Sequence, residues 1–220
     1  IASQNGHVDI ARLLVSSKAD VNKPRDDGTT PLFIASQNGH VDIARLLVSS
    51  KTDVNKANDN GFTPLYIASQ NGDVEIARLL VSSKADVNKA VNGTTPLFIA
   101  SQEGHVDIAR LLVLSEADVN KAVDCGATPL FIASKNGHVD IARLLVSSNA
   151  DINKAVDDGT TPLHIACQNG HVNIARLLVS SKADVNQART NGTTPLHIAS
   201  QEGHVDIARL LVSSKADVNK

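Results

Sequence analysis

The sequence predicts an all-α solenoid of stacked helix-turn-helix units, and three observations lead there. A block reading GTTPLFIASQNGHVDIARLLVSS from Gly28 returns almost letter for letter five more times. Its Thr-Pro pairs, Thr30/Pro31, Thr63/Pro64, Thr95/Pro96, Thr128/Pro129, Thr161/Pro162 and Thr194/Pro195, follow one another at 33, 32, 33, 33 and 33 residues, a solenoid period. Within each block, apolar residues recur at helical spacing between helix start and stop signals.

In the block from Gly28, the spacing predicts a first helix over 30–38. Thr30 is its N-cap and Pro31 its first helical residue, where the missing N–H has no intrahelical use. Gly39 supplies the stop. Leu32, Ile34 and Ala35 give apolar or small surface, and Ala35 with Ser36 lets neighbouring layers approach closely. Such a short helix depends on packing for its existence.

A second helix is expected over 41–49, with Ile43, Ala44, Leu47 and Val48 on a buried stripe and Asp42 and Arg45 on the wet side. Asp-Val-Asn and a Gly-terminated loop follow, as in 53–61, with Asn and Gly suited to turns. One loop is a residue shorter: seven steps separate Asn88 from Thr95, against eight from Asn55 to Thr63. A deletion is tolerated in a loop and costly within a helix.

The unit resembles the ankyrin repeat. Thr161, Pro162, Leu163, His164 and Ala166 match its TPLHxA signature, Gly170 and His171 its inter-helix turn, and Ala183, Asp184, Val185 and Asn186 its trailing segment. The resemblance covers the whole chain as a single domain, with a truncated leading repeat at 1–27 and full repeats at 28–60, 61–92, 93–125, 126–158 and 159–191. The last repeat, 192–220, lacks its finger. It implies that each loop forms a β-hairpin finger and that His164 and His197 brace neighbouring loops. Phe33, Tyr66, Phe98 and Phe131 occupy that position elsewhere, making the brace apolar. One departure is consistent. Where the family ends its second helix with Gly, this chain has Lys18, Lys51, Lys84, Glu116, Asn149, Lys182 and Lys215.

Net charge is -2, and acidic and basic residues alternate within each unit. That removes the basic footprint of a nucleic-acid or anionic-membrane binder. No apolar run reaches membrane-spanning length. Two isolated cysteines, Cys125 and Cys167, argue against a disulfide framework and favour a reducing, cytoplasmic setting. Cys167 stands where other units have Ser, which marks a small packed residue.

His7, His40, His105, His138, His171 and His204 are one position copied. Helix layers about 8–10 Å apart keep such residues from sharing a zinc ion whose ligands lie about 2 Å away. They read as turn histidines bonded to their own loops. No nucleophile or phosphate-cradling loop stands in a recognisable setting, so neither enzyme activity, a cofactor nor a metal is expected.

Recognition remains. Among ankyrin proteins, binding uses the concave surface of fingers and first helices, and the unit-to-unit differences of this chain fall there. Finger positions include Arg25, Asp59, Asp124, Asp157 and Arg189. Helix-end pairs are Gln37/Asn38, Gln70/Asn71, Gln102/Glu103, Lys135/Asn136, Gln168/Asn169 and Gln201/Glu202. Drift where substitution costs little explains the same distribution. Phe62 stands alone where five other units have Thr or Ala, with Tyr66 four residues on and Asp73 replacing the turn histidine. It reads either as an aromatic anchor or as an isolated surface apolar residue.

The expected function is a non-catalytic scaffold for an unidentified protein partner. The alternative is an elastic or spacer segment of a larger cytoskeletal or membrane-tethered protein. The terminal repeats carry the internal pattern at Ile207, Ala208, Leu211 and Val212 in place of polar caps, which reads as a section of a longer array able to stack head to tail.

Overall fold

The computed structural model describes residues 1–219. Among them the chain forms fourteen helices in successive pairs and no strand. Two compact units divide it after Ala117. The first holds α1 (Ala2–Asn5), α2 (Val8–Ser16), α3 (Pro31–Gln37), α4 (Val41–Ser49), α5 (Pro64–Asn71), α6 (Val74–Ser82), α7 (Pro96–Glu103) and α8 (Val106–Leu114). The second holds α9 (Pro129–Asn136), α10 (Val139–Ser147), α11 (Pro162–Gln168), α12 (Val172–Ser180), α13 (Pro195–Gln201) and α14 (Val205–Ser213). Within each unit the odd-numbered helices pack in one row and the even-numbered helices in a second. Each unit is a stretch of all-α solenoid with its core between the rows.

The first helices start as their sequence dictates. Thr30 Oγ1 accepts the Phe33 N–H at 3.1 Å, and Thr63, Thr95, Thr128, Thr161 and Thr194 do the same for the residue three further on. Each cap satisfies one of the donors that a helix start leaves without an intrahelical partner. The stop is a left-handed glycine: Gly39 has φ 72°, and the His40 N–H returns to the Ala35 carbonyl at 2.9 Å. Leu32, Ala35 and Ser36 are fully buried, and Ser36 Oγ donates to the Leu32 carbonyl. Cys167 is equally buried at the serine position, and burial pushes its thiol up to about 12.

The second helices bury the expected stripe except at Val48, which is half-buried. Ile43, Ala44 and Leu47 are 0, 0 and 4 % exposed, while Asp42 and Arg45 face solvent. Each ends in the same motif without its glycine. Lys84 takes φ 67°, the Ala85 N–H reaches back to the Leu80 carbonyl at 3.0 Å, and Ala85 is buried. Lys18, Lys51, Glu116, Asn149, Lys182 and Lys215 all take φ between 61° and 70°. The backbone geometry is kept, and the non-glycine residues bear its strain.

The fingers are hairpin turns without a ladder. Asn58 N–H donates to the Phe62 carbonyl and Gly61 N–H to the Asn58 carbonyl, closing a three-residue loop whose Gly61 has φ 85°. The shortened finger resolves into a tighter form. Val91 and Thr94 exchange two 2.9 Å backbone bonds across Asn92 (φ 49°) and Gly93 (φ 77°), the Asn-Gly turn that a two-residue hairpin prefers.

Asn residues join successive loops. Asn55 Oδ1 accepts the Asp86 N–H at 2.8 Å, and Asp86 Oδ1 accepts the Asn88 N–H at 2.9 Å. The same join recurs from Asn22, Asn120, Asn153 and Asn186 to the Asp one repeat later.

The non-glycine caps carry a test. Left-handed Lys costs about 1 kcal/mol more than Gly after allowing for glycine's unfolded-state entropy. Lys51→Gly and Lys84→Gly should each raise the thermal midpoint by about 2–4 °C. An unchanged or lowered midpoint in the double variant, read by circular dichroism, would show that neighbouring contacts already offset the strain.

Candidate functional site

The exposed ends of the inner helices and the finger tips form the candidate face in each unit, and the structure divides its residues into two kinds. In the first unit Arg25, Gln37, Asp59, Gln70 and Glu103 are exposed. Asn38 and Asn71 are exposed too, but their amides are in use. Asn38 Nδ2 donates to the Gln4 carbonyl at 3.2 Å, and Asn71 Nδ2 to the Gln37 carbonyl at 2.9 Å. Each acceptor lies in the last turn of the preceding first helix, where carbonyls have no intrahelical partner.

The turn histidines converge on the same carbonyls, which corrects the expectation that they bond their own loops. His40 Nε2 lies 3.1 Å from the Gln4 carbonyl, His105 Nε2 3.0 Å from Gln70, His171 Nε2 3.1 Å from Lys135 and His204 Nε2 3.3 Å from Gln168. Every partner is in the preceding repeat. The rings also cover the preceding turn glycines. A Cβ on Gly6 would stand 2.9 Å from His40 Cε1, and one on Gly72 2.7 Å from His105 Cε1. The Asn-Gly-His turn is therefore a staple between layers. Among the described residues, no group of three or more His, Cys, Asp or Glu side chains could hold a metal ion.

Substitutions in this turn remove donors. Glu103 replaces the Asn, and its carboxylate accepts instead from Gln102 Nε2 at 2.9 Å. Asp73 replaces the His and sits over Gly39 as the rings do elsewhere. Burial raises its carboxyl above the usual range, opposed by His105.

Phe62 and Tyr66 differ in availability. Tyr66 is only 6 % exposed, in a cluster with Val91 and Ile99, so its side chain belongs to the core and not to the exposed face. Burial, and then the Glu103 carboxylate, push its phenol up. Phe62 is half-buried and packs on this cluster, its ring centroid 5.0 Å from that of Tyr66 at an interplanar angle of 44°. Its remaining surface lies at the edge of the finger.

In the second unit Asp124, Lys135, Asn136 and Asp157 are exposed, and Arg189 is half-buried. Sequence reasoning missed what Arg189 joins. Its Nη2 donates to Gln168 Oε1 at 3.0 Å, and its Nε is sealed from solvent without an acceptor. His164, close enough to feel the Arg189 charge, is fully buried. Thr161 N–H donates to His164 Nδ1 at 3.2 Å, so the proton sits on Nε2, which donates to the Thr193 carbonyl at 3.3 Å. The ring braces its own helix start and the next finger, the role implied for that position. Burial and then the Arg189 charge lower His164 to about 4.

A family model described as Ankyrin repeats (3 copies) matches residues 1–91, 87–156 and 150–220. The comparison with curated proteins finds no match.

His164 makes stability depend on pH in a defined window. Its folded value of about 4 lies below its ordinary 6.5, so the unfolded chain binds more protons between them. Stability is fully present above about 6.5 and falls by about 3 kcal/mol as pH drops to about 4. Denaturant melts of the parent and His164→Phe across that range should diverge, the variant losing less. Parallel curves would show that the imidazole is accommodated when charged.

Proposed function

The chain belongs to the ankyrin-repeat family, and from that premise we propose that it is a non-catalytic scaffold that binds a partner protein through its fingers and inner-helix ends. Ankyrin repeats are generally protein-interaction modules. The observation that carries the reading is the distribution of differences between repeats. Core and cap positions such as Leu32, Leu65, Leu97, Leu130 and Leu163 are the same residue at 0 or 1 % exposure, whereas Gln37, Gln70, Lys135 and the finger tips are exposed. In the first unit Phe62 supplies an apolar contact, and the exposed Arg25, Gln37, Asp59, Gln70 and Glu103 with the stapled Asn38 and Asn71 supply the polar part. In the second unit Lys135, Asn136, Asp124, Asp157 and Arg189 play the polar part. Among the described residues no helix is long and apolar enough to cross a membrane.

A second reading concerns copies of this 220-residue chain. Helices α2 and α4 have the same sequence, yet Ile10 and Leu14 are 51 and 47 % exposed where Ile43 and Leu47 are 0 and 4 %. At α14, Ile207 and Leu211 are fully buried, which corrects their place on the open face; that face consists of Val205, Ala208 and Val212 with Leu196 of α13. These are the two halves of the contact that adjacent repeats make inside each unit, so head-to-tail stacking reproduces an existing interface.

Two measurements check these readings. Against a partner captured from lysate, Phe62→Ala with Gln70→Ala should weaken binding by at least about 1 kcal/mol while circular dichroism stays unchanged. A saturable partner insensitive to both changes would move the site off the first unit's finger face, and the lack of any saturable partner would favour the spacer role. Sedimentation velocity should show association rising with concentration; a strict monomer at high concentration would end the stacking reading.

A further inference from the structure

One finger position carries different chemistry in different repeats. It is occupied by Arg25, Asn58, Val91, Val123, Val156 and Arg189, and at Val91 and Arg189 the side chain meets the first helix of the repeat before. Where Val91 fills it, the result is a dry cluster with Tyr66 and Ile99. In the second unit Arg189 fills it opposite His164, and the cluster becomes polar.

The guanidinium is held and underused. The Arg189 backbone lies against Gly159, where a Cβ would come within 3.0 Å of Arg189 Cα, and Nη2 is tied to Gln168 Oε1 at 3.0 Å. Nε is buried with no acceptor, so part of the cation's hydration has been stripped without replacement. Nη1 and the second Nη2 hydrogen remain open. A planar fork fixed this way has already lost rotamer freedom, and an incoming anion gains more from a partly desolvated cation.

The surroundings favour a carboxylate from a peptide. Asp158 is the acidic group that faces the pair, but its carboxylate accepts the Thr160 N–H at 2.8 Å, and hydrogen bonds from Thr160 hold it low. His164 is neutral and points its proton at Thr193. One repeat earlier Lys135 is exposed at the position of Gln168, and the two helix ends are joined where Asn169 Nδ2 donates to the Lys135 carbonyl at 2.7 Å. A chain running along these ends meets two cations one layer apart.

We propose that the second unit carries a carboxylate-binding subsite formed by Arg189, Gln168 and Lys135, which takes Asp or Glu side chains of an acidic peptide segment. The proposal rests on the scaffold reading and names the chemistry of the partner at one face. The single held fork suits a bidentate contact, and Lys135 adds a second charge contact for a multivalent segment that a lone small anion would not bridge.

The test follows arginine Nε–H resonances of the ¹⁵N-labelled 220-residue chain during titration with hexaglutamate peptide, hexaglutamine peptide or inorganic phosphate. Hexaglutamate should shift the Arg189 signal, assigned by its loss in Arg189→Lys, to saturation, and hexaglutamine should not. Arg189→Gln and Lys135→Gln should each weaken hexaglutamate binding about fivefold or more, and Arg45→Gln, on the solvent side of α4, should leave it unchanged. Equal shifts at Arg45 and Arg189, or unchanged affinity in Arg189→Gln, would overturn the subsite. A phosphate response as strong as that of the peptide would overturn the peptide assignment. A captured protein partner indifferent to Arg189→Gln would remove this subsite and leave the scaffold reading intact.

Discussion

A first helix of seven or eight residues leaves the carbonyls of its last turn without internal partners, and in this chain the next repeat supplies the missing donors. Gln4 and Lys135 each receive two, an Asn amide and an imidazole. Because those donors sit in the following Asn-Gly-His turn, within each unit a repeat supplies hydrogen bonds to the one before it. The arrangement sets the register of the inner row as well as its satisfaction. At Gly6, Gly72, Gly137 and Gly170 glycine is required twice over, for its positive φ and because the next imidazole lies where a Cβ would stand.

Solvent-facing positions are therefore not all free. Asn38 and Asn71 look like a polar surface and act as cross-layer bonds, whereas Gln37 and Gln70 offer their side chains to solvent and their carbonyls to the stack. Where Glu103 or Glu202 replaces the Asn, one donor is lost and a carboxylate is gained at the helix end, paired with Gln102 or Gln201. Variation there exchanges internal bonding for surface charge.

The finger position shared by Val91 and Arg189 shows how one backbone supports two chemistries. Val91 seals Tyr66 in an apolar cluster, and Arg189 places its charge near an imidazole that burial keeps neutral. A charged His164 beside Arg189 would place two cations in a poorly hydrated site, so the pair holds together only while the ring is unprotonated. That coupling ties the stability of the second unit to the same residue that presents a cation to its inner face.

Repeat length, the Thr-Pro helix starts, the glycine stop at Gly39 and the buried stripe of Ile43, Ala44 and Leu47 were determined by the sequence alone. All of them depend on groups within one or two turns of each other, which periodicity and capping chemistry report directly. The tertiary structure decided that the turn histidines reach the preceding repeat, that Tyr66 is core while Phe62 is half-exposed, and that the shortened finger closes through Asn92 and Gly93. It also decided which helix-end side chains are spent. His40 and Gln4 are 36 residues apart and Asn38 and Gln4 are 34 apart, so their contact exists only once one layer has stacked on another. Identical repeats conceal that difference, because a residue that binds its neighbour and one that faces water occupy adjacent positions in the same polar turn.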